Sequence, residues 1–214
     1  MSLDNGTCYI FGAGERSRCH ITPSENSLVI AADGGFDYLN ELGLSADVVL
    51  GDFDSIRSAK SLPPDSVRYP KEKDETDMLL AARLGLENGY TKFAIYGGLG
   101  GRLDHTLANV QVLIYLSRHG ALATLYSDTY AVTAVNDSFI TFPKDHPANR
   151  KGNICSVFSV GDISVNVSIS GLKYRLNEVS LTNTYPLGVS NEFIGEDARI
   201  SVEKGTIIVI WYLS

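Results

Sequence analysis

The sequence predicts a mainly parallel α/β domain followed by a β-sandwich, in a chain of 214 residues. Three observations predict it. Up to about residue 130, short β-rich runs alternate with stretches of helical period, the pattern of strands joined by crossover helices. After about residue 135 the helical period disappears, and short apolar runs follow one another between turn signals, as in an antiparallel sandwich. Finally, acidic and glycine-rich clusters in the first half directly follow predicted strands. In open parallel sheets, ligands bind beyond those strand ends.

The strand candidates of the first half are 8–11, 28–32, 48–50, 92–96 and 123–126. Two helices are predicted over 74–88 and 104–118. Met78, Ala82 and Leu86 share one face of the first, and Leu107, Val110 and Ile114 one face of the second. In the second half, 154–160, 163–169, 178–182 and 207–213 read as strands, separated by Gly161-Asp162, Ser170-Gly171 and Lys204-Gly205. The two domains are expected at 1–135 and 136–214, with the polar, proline-bearing stretch 143–152 as the loop near the join.

With 44% hydrophobic residues the chain can bury one substantial core or two modest ones. No apolar run approaches the roughly 18 to 20 residues of a membrane-spanning helix, and the start, Met1 to Gly6, is neither basic nor apolar. Neither a membrane span nor a secretory signal is expected. Cys8, Cys19 and Cys155 contain no C-x-x-C pair, which argues against a disulfide framework or zinc knuckle and makes the cytoplasm the expected compartment. A formal net charge of −7 disfavours nucleic acid, whose backbone needs a basic stripe.

Asp33-Gly34-Gly35 follows the strand 28–32, and Gly51-Asp52-Phe53-Asp54-Ser55 follows 48–50. Asp52 and Asp54 are two residues apart, so in an extended segment they share a face, and paired carboxylates there suit Mg²⁺. Helix capping or turn formation explains each Asp equally simply. Lys73-Asp74-Glu75-Thr76-Asp77 opens the first helix, where Asp74 as N-cap and Asp77 as N3 residue would account for both carboxylates. The run Gly97-Gly98-Leu99-Gly100-Gly101-Arg102-Leu103-Asp104-His105 lies between a strand and a helix. Its glycines would let backbone amides approach phosphate oxygens, and Arg102 adds a fork-shaped cation. Gly12-Ala13-Gly14-Glu15 is either a second phosphate-facing turn or a plain strand end. Ser190-Asn191-Glu192 offers hydroxyl, amide and carboxylate groups in one run that otherwise reads as a loop. Trp211, the single tryptophan, is expected in a core or dimer contact more than against substrate.

In motif, order and spacing, the set Ala32 to Gly35, Gly51 to Ser55, Lys73 to Asp77, Gly97 to His105 and Ser190 to Glu192 resembles the thiamine pyrophosphokinase family. The resemblance implies a Rossmann-like catalytic domain binding ATP and metal, a β-sandwich contributing thiamine binding and dimer contacts, and a homodimer. By position, Asp52, Asp54 and Asp77 resemble the family's metal and phosphate-handling carboxylates. Asp33, Gly34, Lys73, Asp74, Thr76, Gly98, Gly100, Arg102, Asp104 and His105 resemble its nucleotide and phosphate contacts, with Arg102 and Asp104 also counted as catalytic. Ser190 and Asn191 resemble its thiamine contacts. Lys73 stands where some relatives carry glutamine, and Arg175 stands where proline is expected.

The implied reaction is attack of the thiamine hydroxyl on the β-phosphorus of ATP, giving thiamine diphosphate and AMP with Mg²⁺ as cofactor. Catalysis of this kind rests on in-line positioning and charge neutralisation. The competing reading is a catalytically inactive nucleotide- or thiamine-binding regulatory module. An NAD-dependent dehydrogenase is disfavoured by the glycine spacing.

Overall fold

The computed structural model describes residues 6–17, 21–53, 62–63, 66–70, 72 and 74–213. The chain divides into two units, residues 1–128 and 129–214. The join therefore precedes both the expected 135/136 boundary and the 143–152 loop, which lies inside the second unit.

In the first unit, six parallel strands run in the order β6, β5, β1, β2, β3, β4. They are β1 Cys8–Phe11, β2 Leu28–Ala32, β3 Val48–Gly51, β4 Val67–Arg68, β5 Lys92–Tyr96 and β6 Leu122–Tyr126. Helices α1 Gly35–Leu42, α2 Asp77–Glu87 and α3 Leu103–Arg118 connect them. Both faces of the sheet are covered. Phe11, Val29, Ala31, Val49, Ala94 and Tyr96 share one core with Phe36, Tyr38 and Leu39 of α1. The alternate residues face the other way: the Cys8 Sγ lies 2.9 Å from where a Cβ on Gly85 of α2 would stand. Burial on both faces explains why the central strands are apolar runs without alternation. It also pushes the Cys8 thiol up to about 12.

The sequence reading differs at α2. Its N-cap is Thr76, whose hydroxyl accepts from the Leu79 amide at 3.2 Å, so Asp74 lies outside the helix and Asp77 is its first residue. A hydroxyl in the extended N-cap position satisfies one of the helix's orphan amides, which leaves Asp74 no capping role.

The second unit has two antiparallel sheets. One runs β12 Gly188–Glu192, β9 Ile154–Ser159, β14 Thr206–Tyr212, β7 Tyr130–Asn136, and the other β11 Leu176–Leu181, β10 Ser164–Ser170, β13 Ala198–Ser201, β8 Phe139–Phe142. In β14, Ile207, Val209 and Trp211 are buried while Ile208, Ile210 and Tyr212 are more open, the period-2 pattern of a half-buried strand. Trp211 is a core residue: it meets Phe142 of the other sheet edge-on at 5.1 Å between ring centroids. Among the described residues, no helix is long and apolar enough to cross a membrane.

Candidate active site

Four parallel strands, β1, β2, β3 and β5, deliver their following residues to one cavity of about 700 Å³ in the first unit. Gly12 to Glu15 come from the end of β1, Asp33 from β2, Asp52 from β3, and Gly97, Gly98, Gly100 and Gly101 from β5. Glu75 to Met78 enter with the start of α2, and Arg102, His105 and Asn109 with α3. This is where the fold class holds its ligands.

The two glycine turns are bonded to each other. Gly12 N donates to Tyr96 O at 2.8 Å, Gly14 N to Gly97 O at 2.7 Å, and Glu15 N to Leu99 O at 2.9 Å. A Cβ on Gly14 would stand 2.6 Å from Gly97 O, and one on Gly97, whose φ is +64°, would run into Gly12 O. These glycines therefore permit backbone to meet backbone. The amides of Gly12, Gly14 and Glu15 therefore have carbonyl partners, while the turn itself still lines the cavity.

Asp33 holds a left-handed φ of +48° at the end of β2, its amide donates to Leu50 O at 2.8 Å, and its Cβ fills the space beside Gly51. Asp52 and Asp77 line the same cavity. Mg²⁺ takes hard oxygen donors and is commonly held by one or two carboxylates plus substrate phosphates, so this donor set fits the ion. Among the described residues there is no group of three or more His, Cys, Asp or Glu side chains placed to hold a metal by themselves. Asp54 and Lys73 lie outside the described residues. Gly34 and Asp74 are not among the lining residues, and Gly34 instead occupies the N-cap of α1.

Arg102 lines the cavity but is turned upon its neighbour. Its Nε donates to Asp104 Oδ1 at 3.1 Å and its Nη2 to Asp104 Oδ2 at 2.6 Å. The pair is open to solvent, with side chains 73% and 65% exposed. The guanidinium fork, aided by the His105 amide at 2.9 Å, holds the Asp104 carboxyl down to about 2. Both were expected on phosphate. Here Asp104 occupies the fork that a phosphate would need, and of the three neighbours Arg102 and His105 face the cavity while Asp104 does not line it.

Ser190 and Asn191, expected in a loop, lie in strand β12 of the second unit. Ser190 is exposed, with a φ of +58°. Asn191 is only 4% exposed. Its Nδ2 donates to Tyr174 O at 2.6 Å, while its Oδ1 accepts from the amides of Tyr174 and Glu192, both at 2.9 Å. The amide thus clamps the segment after Gly171 to β12. Beside it, Lys173 Nζ meets Glu192 Oε1 at 2.8 Å.

Residues 20–125 match the family model described as thiamin pyrophosphokinase, catalytic domain, and residues 140–207 that of thiamin pyrophosphokinase, vitamin B1 binding domain. A thiamine pyrophosphokinase of Bacillus subtilis is 32% identical over 192 residues, 87% of each chain. The chain belongs to the thiamine pyrophosphokinase family. The crystal structure of a Bacillus subtilis thiamine pyrophosphokinase superposes with a TM-score of 0.83 at 28% identity, covering 97% of this chain and 99% of that one. The yeast thiamin pyrophosphokinase structure, at 16% identity and a TM-score of 0.73 over all of this chain and 88% of that one, shares the fold.

Within this member of the thiamine pyrophosphokinase family, the cavity also contains Glu75, Met78 and Asn109; the sequence reading gave none of them a site role, although Glu75 lies in the Lys73 to Asp77 motif and Met78 on the apolar face of the first helix. Glu75 is paired with Arg83 Nη1 at 2.5 Å. Asn109 follows His105 by four residues on α3, the one sequence signal that could have found it.

Proposed function

We propose that this chain transfers the pyrophosphoryl group of ATP to the hydroxyl of thiamine, giving thiamine diphosphate and AMP. The carrying observation is that Asp52, Asp77 and Arg102 line one cavity beyond the parallel strand ends, in a chain of this family. We assign ATP to the first unit and thiamine to the second, where exposed Ser190 is the nearest match to the family's thiamine contacts. Homodimer formation and a cytoplasmic location complete the reading. The exposed Tyr185, Leu187 and Val189 and the buried free thiols of Cys8 and Cys155 support them.

Asp52 and Asp77, with Asp54, would hold Mg²⁺, whose bound charge neutralises polyphosphate oxygens. Arg102 must exchange Asp104 for phosphate, two planar N–H···O bonds for two. The thiamine oxygen bonds to the β-phosphorus as the bond to the α-phosphate oxygen breaks and AMP departs. A cavity carboxylate accepts the hydroxyl proton and returns it to solvent.

Among the described residues, Glu15, Asp33, Asp52, Glu75 and Asp77 line the cavity with Arg102 as the arginine facing them. Two like charges about 4 Å apart repel by roughly 4 kcal/mol at an effective dielectric near 20, so ATP binding should require a divalent ion. Calorimetry with Mg²⁺ and with EDTA tests this, beside an assay separating AMP from ADP for the wild type and Asp52→Asn. Expected are metal-dependent binding, AMP as product, and loss of turnover in the variant. ADP as product, or equal ATP affinity in EDTA, would overturn the reading.

A further inference from the structure

Asn109 has two amide functions and uses one. Its Nδ2 donates to Gly98 O at 2.7 Å, which fixes the orientation of the group, because an oxygen in that place would oppose the carbonyl. The Oδ1 accepts no bond among the described residues, although the residue is only 8% exposed and lines the cavity. The oxygen is not sealed among protein atoms but is an acceptor open to the cavity, available to a bound donor. With Arg102 and His105, spaced three and four residues apart, Asn109 forms one stripe along α3 on the cavity wall.

We infer that Asn109 Oδ1 is the acceptor for an O–H or N–H on the nucleoside half of the bound nucleotide. Phosphate oxygens are acceptors and would be repelled. Asn109 stands seven positions after Arg102, the N-cap of α3, about 10 Å along the axis, so a nucleotide whose phosphates lie at Arg102 brings its ribose or base to Asn109. The inference rests on the proposed phosphate role of Arg102. Its bond to Gly98 makes Asn109 a positioning residue for the β5 turn as well, and the test separates the two tasks.

The measurement is calorimetric binding of Mg²⁺ complexes of ATP, 2′-deoxy-ATP, 3′-deoxy-ATP and purine riboside triphosphate, which lacks the 6-amino group. Wild type, Asn109→Ala and the milder Asn109→Gln are compared, with folding checked by circular dichroism. The wild type should lose about three- to ten-fold in affinity for one analogue, the worth of one neutral hydrogen bond, and that analogue identifies the donor. Asn109→Ala should bind ATP and that analogue alike, because its acceptor is gone. A wild type indifferent to all three analogues overturns the inference, with no variant required. An Asn109 variant weakened equally for all four nucleotides, with the wild-type preference intact, also overturns it and leaves a purely loop-holding role. Failure to bind ATP at all would remove the proposed function itself, whereas tight but undiscriminating binding removes only the Asn109 contact.

Discussion

Gly97 and Gly101 have the same φ, +64°, and differ in their surroundings. A side chain in the left-handed region costs roughly 1–2 kcal/mol, and replacing glycine recovers about 0.4–1 kcal/mol by restricting the unfolded chain. At Gly101 a Cβ meets nothing within 4 Å among the described residues, so Gly101→Ala should cost between about 0 and about 1.6 kcal/mol. At Gly97 the Cβ meets the Gly12 carbonyl, a backbone group that cannot rotate aside. Relief means shifting the turn after β1, at the expense of the Gly12–Tyr96 and Gly14–Gly97 bonds of 2.8 and 2.7 Å. At about 1 kcal/mol net for each bond, Gly97→Ala should cost about 3 kcal/mol and weaken ATP binding as well. Urea denaturation followed by far-UV circular dichroism measures this. Fluorescence would not suffice, because the single tryptophan, Trp211, reports on the second unit. If the two variants are destabilised equally, the crowding of Gly97 against Gly12 is not what requires glycine there.

Arg102→Lys keeps the charge but loses the planar fork, and AMP formation should fall roughly ten-fold, about 1.4 kcal/mol; wild-type rates would make Arg102 a solvated loop residue. The Asp104 carboxyl should titrate near 2 by NMR and move up toward the ordinary carboxylate range in Arg102→Gln. Because the folded value is depressed, the pair's contribution is present above the ordinary value of 3.8 and fades as pH falls toward about 2. An unshifted wild-type titration would refute the pair. Asn191→Ala leaves the Tyr174 amide and carbonyl without their clamp, so the Trp211 fluorescence transition should shift by about 2 kcal/mol. The thiamine requirement should rise more than that for ATP. Unchanged stability would refute the clamp.

Much of the first unit was legible because its strands are short apolar runs ended by turn residues: β1, β2 and β5 coincide with the expected spans. Helix α1 was not, since it begins at Gly35 and runs only to Leu42, too short to display a period. Strand β4, Val67–Arg68, is two exposed residues defined by pairing with β3. In the second unit, β12 has the sequence Gly-Val-Ser-Asn-Glu and becomes a strand through β9, a partner that no local pattern announces. The acidic strand ends were readable as ligand-facing because fold class alone places them there. The purpose of the glycines was not, because it depends on which carbonyl stands opposite. Asn109 was hidden for a similar reason. A polar residue inside a helix resembles a solvated face until the turn it holds is known.

The bonding between the turns after β1 and β5 also governs how this pocket can diverge. Lengthening either turn by one residue would slide its donors past the other's carbonyls, and a side chain at Gly14 would strike Gly97 O. Two segments far apart in the chain are thus restricted to changes that each can tolerate from the other. The tolerated variants of this pocket wall should come in matched pairs, while Gly101, facing open space, can vary on its own.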